Sequence, residues 1–191
     1  MKKIILVVFI LLLTASMIPV TFAEEGSGTQ FESVLLKKGS ITVQETIDVT
    51  EDNFTDYSAY IAGVESVRFQ ATIGTDVATN QKVYAMIMKT RGQGKDFAAI
   101  LDLDEVDDAI TTLKYIKDHA PEMENYTEIR YKTSGGFTVV GYHTVKGSCG
   151  AYIIFESQLR KYYDLKQIDT LIDAMQSVKD VLNSKMKEAG K

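Results

Sequence analysis

The chain reads as an α+β protein: antiparallel sheets in two β-β-β-β-α repeats, with an extra N-terminal strand. Three observations predict this. Apolar residues alternate with period two through much of residues 31–101 and again through 127–163, whereas residues 102–118 and 164–185 step by three and four. Glycine-bearing turn signals separate the alternating runs. The two helical stretches agree position by position at an offset of 62 residues.

The elements follow in order. Lys2 and Lys3 precede an unbroken apolar run from Ile4 to Leu13, then Pro19 and Thr21-Phe22-Ala23. This is the pattern of a signal peptide cleaved after Ala23. The apolar core is short beside the roughly 20 residues of a membrane span. Cys149 is the only cysteine, so the run carries no lipoprotein cysteine. Residues 24–30 are polar and glycine-rich and read as a flexible lead. A single domain is expected over 31–191, its halves at about 31–120 and 125–187.

Residues 31–36 supply the extra strand. Ile41, Val43, Ile47 and Val49 share one parity, interrupted by Glu45. The connection 50–65 is long enough for a lid, a short helix or a partner-binding loop. Val67, Phe69, Ala71 and Ile73 alternate with polar neighbours, and 82–90 and 97–101 are nearly continuous apolar runs around Arg91-Gly92-Gln93-Gly94. Leu103, Val106, Ile110, Leu113 and Ile116 then mark one helix face, closed by Pro121. Strands are expected again over 127–133, 137–145, 149–156 and 161–163, with turns at Ser134-Gly135-Gly136 and Lys146-Gly147-Ser148. A last helix carries Leu165, Ile168, Ile172, Met175 and Val178 inward.

The repeat is clearest in the helices. Asp102 matches Asp164, Asp107 matches Asp169, Ile110 matches Ile172 and Lys117 matches Lys179. Asp102 with Glu105, and Asp164 with Gln167, form the same capping box. The strands follow with gaps: 84–88 answers 152–155, 66–74 answers 137–145, and 41–49 answers 127–133. This order of elements resembles the two-repeat β-β-β-β-α arrangement of the PUR and whirly folds, over most of the mature chain. The resemblance implies single-stranded nucleic-acid binding through basic, aromatic sheet faces. That basic character is missing here, so no functional residue carries over. The chain also resembles secreted bacterial proteins of uncharacterised function.

Charge and composition narrow the classes. The net charge is -5, and -7 once Lys2 and Lys3 leave with residues 1–23. That balance opposes nucleic acid and anionic membrane as diffuse partners. At 45% hydrophobic residues and two prolines the chain is expected to fold. One cysteine and two histidines supply neither a disulfide scaffold nor a structural zinc site, and no metal or cofactor is expected.

Several chemical motifs have plainer readings. The acids Asp102, Asp104, Glu105, Asp107 and Asp108 lack the spacing of a calcium loop and suit the first turn of a helix. Gly92-Gln93-Gly94-Lys95 leads into a strand, not the helix a phosphate loop requires. His119 suits a helix C-terminus. Asn53-Phe54-Thr55 and Asn125-Tyr126-Thr127 fit a glycosylation pattern, set aside because the Met-Lys-Lys start looks bacterial. Cys149 and His143 flank one turn; a three-residue loop puts them on the same face and a two-residue loop on opposite faces.

The most informative feature is apolarity on both faces of two strands. Val83, Ala85 and Ile87 oppose Tyr84, Met86 and Met88, and Ala151, Ile153 and Phe155 oppose Tyr152 and Ile154. Either both faces are buried inside one molecule, which is the preferred reading, or the Tyr/Met side meets a partner. The candidate ligand or partner face is therefore Tyr84, Met86, Met88, Tyr152 and Ile154. The functional expectation is an exported, non-enzymatic domain binding a protein or small ligand, or a second copy, and neither nucleic acid nor membrane. The alternatives are a hydrolase-like enzyme using the acids at 102–108 or Cys149 with His143, and, by analogy of fold alone, a single-stranded nucleic-acid binder.

Overall fold

The computed structural model describes residues 28–54, 65–92, 94–133, 135–156 and 158–190. Residues 1–23, read above as a signal peptide, 24–27 of the expected lead and 55–64 of the long connection lie outside them. The first half comprises α1 (Gln30–Leu35), β1 (Thr42–Phe54), β2 (Glu65–Asp76), β3 (Lys82–Gly92), β4 (Lys95–Asp102) and α2 (Val106–His119). The second comprises β5 (Thr127–Lys132), β6 (Thr138–His143), β7 (Cys149–Phe155), β8 (Leu159–Tyr163) and α3 (Leu165–Ala189). The strands form two antiparallel meanders, β1-β2-β3-β4 and β5-β6-β7-β8. Each meander is followed by a helix, as the switch from period two to period 3.6 predicts.

The extra N-terminal strand is instead a helix, α1. Thr29 Oγ1 accepts the Glu32 amide at 3.0 Å, and the Glu32 carboxylate accepts the Thr29 amide at 3.0 Å. This capping box satisfies two amides that a strand would leave to a ladder partner. Thr29, read as part of the lead, is fully buried. Phe31 and Val34 pack on Val83, Ala85 and Ile87, the outer face of the first sheet. Two-faced apolarity in β3 is thus explained within the monomer: α1 covers one face and the main core the other.

The main core is one cluster drawn from both sheets and both long helices. Phe69, Met86, Met88 and Leu101 enter it from the first sheet, and Val139, Ile153 and Phe155 from the second. α2 lies on β5, β6 and β7, whereas α3 lies mainly across β1, β2 and β3. Each long helix therefore covers chiefly the sheet of the other half. Where the helices meet, Lys117 Nζ lies 2.6 Å from Asp169 Oδ1, and Lys179 Nζ pairs with Asp107. Under the 62-residue offset these two ion pairs are images of one another. A pseudo-twofold axis between the helices produces that reciprocity, as in an isologous contact.

The strand alignment needs correction, by three residues at Tyr84 and by one over 66–74. Leu101 matches Tyr163 at the helical offset, and their sheet partners are Met86 and Ala151. Met86 in turn pairs with Ala71, and Ala151 with Gly141. The equivalent positions are therefore Met86 with Ala151 and Ala71 with Gly141. The alignment of 84–88 with 152–155 sets Tyr84 against Tyr152, residues on opposite faces. A slip by any odd number of residues exchanges the faces of a whole strand.

Candidate functional site

The structure divides the five residues of the expected face. Met86 and Met88 are fully buried in the main core, and Tyr84 packs half-buried against it. The two methionines offer no open surface. Tyr152 and Ile154 point the other way, onto the outer face of the second sheet, because Ala151, Ile153 and Phe155 take the core side. Among the described residues no helix covers this outer face as α1 covers that of the first sheet.

The same face gathers tyrosines from three strands. β6 supplies Tyr142, β7 supplies Tyr152 and β8 supplies Tyr162. The Tyr152 and Tyr162 ring centroids lie 5.1 Å apart, and Tyr142 lies 6.1 Å from Tyr152 and 6.0 Å from Tyr162. The Arg160 guanidinium carbon stands 5.2 Å from the Tyr152 centroid, a cation–π contact. A hydrogen bond from Arg160 to Tyr162 is the first cause raising the guanidinium pKa above its ordinary value.

Glu128 organises the polar side of the cluster. It accepts the Tyr126 hydroxyl at 2.6 Å and the Tyr152 hydroxyl at 3.2 Å, and Arg130 pairs with it at 3.3 Å. The Tyr126 hydrogen bond is the first cause holding its carboxyl below the ordinary range, although desolvation opposes it; Arg130 and Tyr152 add to the lowering. The same bond raises the pKa of Tyr126. For Tyr152 desolvation comes first and the Glu128 charge second. Alternation builds the arrangement: in β5, Ile129 and Tyr131 pack toward the core, leaving Glu128 and Arg130 outward.

Beside the tyrosines a cavity of about 610 Å³ opens between the end of the second sheet and the start of α3. Its lining includes Tyr142, Ser148, Cys149, Tyr162, Asp164 and Gln167. Gly150 lets two of the lining residues approach β7 closely, since a Cβ there would lie 3.2 Å from the Tyr142 hydroxyl and would strike the Tyr163 carbonyl. Asp164 Oδ1 accepts the amides of Lys166 and Gln167 at 2.9 and 2.8 Å. Gln167 Oε1 accepts the Asp164 amide at 2.9 Å, which leaves its NH₂ group as a donor.

The other candidates take structural roles. Cys149 pairs directly with His143 across the three-residue loop, so the two share a face. Cys149 is half-buried against the core, and His143 Nδ1 lies 3.1 Å from the Asn125 carbonyl. His119 stacks on Tyr115 with centroids 4.0 Å apart and contacts the Tyr115 carbonyl at 2.9 Å. Asp102 accepts the amides of Gln30 and Phe31, and Asp107 pairs with Lys179. Among the described residues no group of three or more His, Cys, Asp or Glu is arranged to hold a metal, and no helix is long and apolar enough to cross a membrane.

The sequence reading missed Tyr126, Glu128, Tyr142, Arg160 and Tyr162. The signal was present as tyrosines of one parity on successive strands, but grouping them requires the register. Compared with protein-family models, with curated proteins and with solved structures, the chain matches none.

Proposed function

We propose that the protein is an exported, non-enzymatic binding module whose ligand surface is the tyrosine-bearing outer face of the second sheet. The broken symmetry between the sheets carries this reading. α1 buries the outer face of the first, whereas the second carries half-buried Tyr142 and Tyr162 and exposed Arg160 around a buried Tyr152, beside a cavity. Tyrosine offers contact area at low entropic cost, and cavities of about 300–1,000 Å³ hold small ligands. Export rests on the basic, apolar and small-residue pattern of residues 1–23, and N-terminal sequencing should find the mature chain beginning at Glu24.

Arrays of glycans, peptides and single-stranded oligonucleotides test the surface, probed with wild type and with a variant carrying Arg160→Ala and Tyr162→Ser. We expect signals on wild type that vanish in the variant, with its melting temperature lowered by only a few degrees. A ligand held equally by both proteins removes this reading. Turnover abolished by Cys149→Ala would replace it with the enzymatic one.

A further inference from the structure

We infer that the cavity bounded by Tyr142, Tyr162, Ser148 and the start of α3 is a site for a neutral oligosaccharide, an inference that rests on the binding-face reading above. The chemistry of the lining selects this class. Two phenol rings stand at its wall, 6.0 Å apart and inclined at 76°. Ring faces carry negative charge density and attract the C–H edges of a sugar ring. The hydroxyls of Tyr142, Tyr162 and Ser148, the Gln167 NH₂ group and the Asp164 carboxylate supply both donors and acceptors at its edge. A ligand rich in hydroxyls both donates and accepts, and satisfies such a set without carrying charge.

Charged ligands fit less well. None of the described residues lining the cavity is a lysine or arginine, and Asp164 is the one carboxylate among them. Arg160, the nearest cation of the cluster, is engaged with the Tyr152 ring and Tyr162. An anion would therefore meet a carboxylate and no cation among the described lining residues, on a chain of net charge -5. A cation would find one carboxylate whose Oδ1 already holds two amides. At about 610 Å³ the cavity is too large for an ion or a single small acid and lies within the usual range for organic ligands.

The chain has ten tyrosines and no tryptophan, so the tyrosines lining the site contribute to an emission that no indole masks. The full chain would be titrated by emission and by calorimetry with maltotriose, cellotriose and chitotriose. Trigalacturonate and the glucosamine trimer serve as anionic and cationic counterparts. We expect at least one neutral trisaccharide to bind, with an affinity that changes less than about twofold between roughly 0.05 and 0.5 M salt. Tyr162→Ala should weaken it by about tenfold or more. Ser148→Phe, at an exposed turn, should block it with the fold intact, covering the case in which Tyr162→Ala is poorly folded. The inference is overturned if no neutral trisaccharide binds at about 10 mM. It is equally overturned if a charged counterpart binds more tightly, or if Ser148→Phe binds like wild type. Array ligands of another class that are lost in the Arg160/Tyr162 variant would leave the binding face standing and remove only the saccharide.

Discussion

Asp102 sits where burial and hydrogen bonding act on one carboxyl in opposite senses. Only 4% exposed, it is pushed up in pKa first by desolvation, while the Gln30 and Phe31 amides pull it down and Glu105 and Asp104 push again; the net direction is upward. A carboxyl whose folded pKa exceeds its unfolded one binds its proton more tightly when folded. Its ionisation is then no burden below the unfolded value, and stability falls as pH rises from there through the folded value. We expect Asp102→Asn to abolish that acid-side slope in melts taken across pH. The same substitution leaves one of the two α1 amides without an acceptor, at a cost of about 1–3 kcal/mol. Hydrogen exchange should show α1 losing protection while the centre of β3 keeps its own. Glu128 has the opposite sign. Its depressed pKa contributes stability above the unfolded value that is lost as pH falls through the folded one. Acid titration should therefore release Tyr126 and Tyr152 and change tyrosine emission below the ordinary carboxylate range. Glu128→Gln should show no such step.

Helix α2 approaches the second sheet so closely that Gly141 has no room for a side chain. A Cβ there would lie 2.6 Å from both Cγ atoms of Ile116. Its counterpart in the first sheet is Ala71, fully buried, so that helix–sheet contact tolerates one more carbon. We expect Gly141→Ala to cost about 1–3 kcal/mol by overpacking. Placing it in an Ile116→Ala background should recover much of that cost, and denaturant melts of the four-protein cycle measure the coupling. Additive losses would show that the contact is not what keeps position 141 bare. Such spacing explains how much of the fold was legible. Long runs with a clear period, such as 66–74 and 164–185, gave their elements and core faces, and Asp164 with Gln167 gave the cap. The stretch 31–36 is too short for its period to discriminate, and Thr29 with Glu32 was the deciding signal. Register was not legible where hairpin loops differ in length between halves, so Tyr84 was matched to Tyr152. The tyrosine face was missed for the same reason, since Tyr142, Tyr152 and Tyr162 become neighbours only once β6, β7 and β8 are paired.

Exchange of helices between the halves joins both sheets and both long helices in one hydrophobic core among the described residues. The core face of the first sheet, with Phe69, Met86 and Met88, is covered mainly by α3 from the second half. That of the second sheet, with Val139, Ile153 and Phe155, is covered in large part by α2 from the first. The reciprocal ion pairs Lys117–Asp169 and Lys179–Asp107 mark this crossing, but all four side chains are at least 21% exposed. Such pairs are worth about 0.2–1 kcal/mol each, so they orient the helices more than they hold them. The hydrophobic cover decides stability, because leaving one large apolar side chain exposed costs about 1.5–3 kcal/mol. Cutting the chain between Glu124 and Asn125, both exposed, separates each sheet from its main covering helix without breaking a strand or long helix. We expect fragments 28–124 and 125–190 each to lack a cooperative thermal transition and to bind a hydrophobic dye when alone. Mixed in equal amounts, they should recover the near-ultraviolet tyrosine signal and a single melt whose midpoint rises with concentration, as a bimolecular complex requires. Reversing one ion pair should shift that midpoint by only a few degrees, whereas Met86→Asp in the first fragment should prevent recovery by burying an unpaired carboxylate. A cooperative melt from either fragment alone would show that its own helix suffices to cover its own sheet, and the exchange would then not be what binds the halves together.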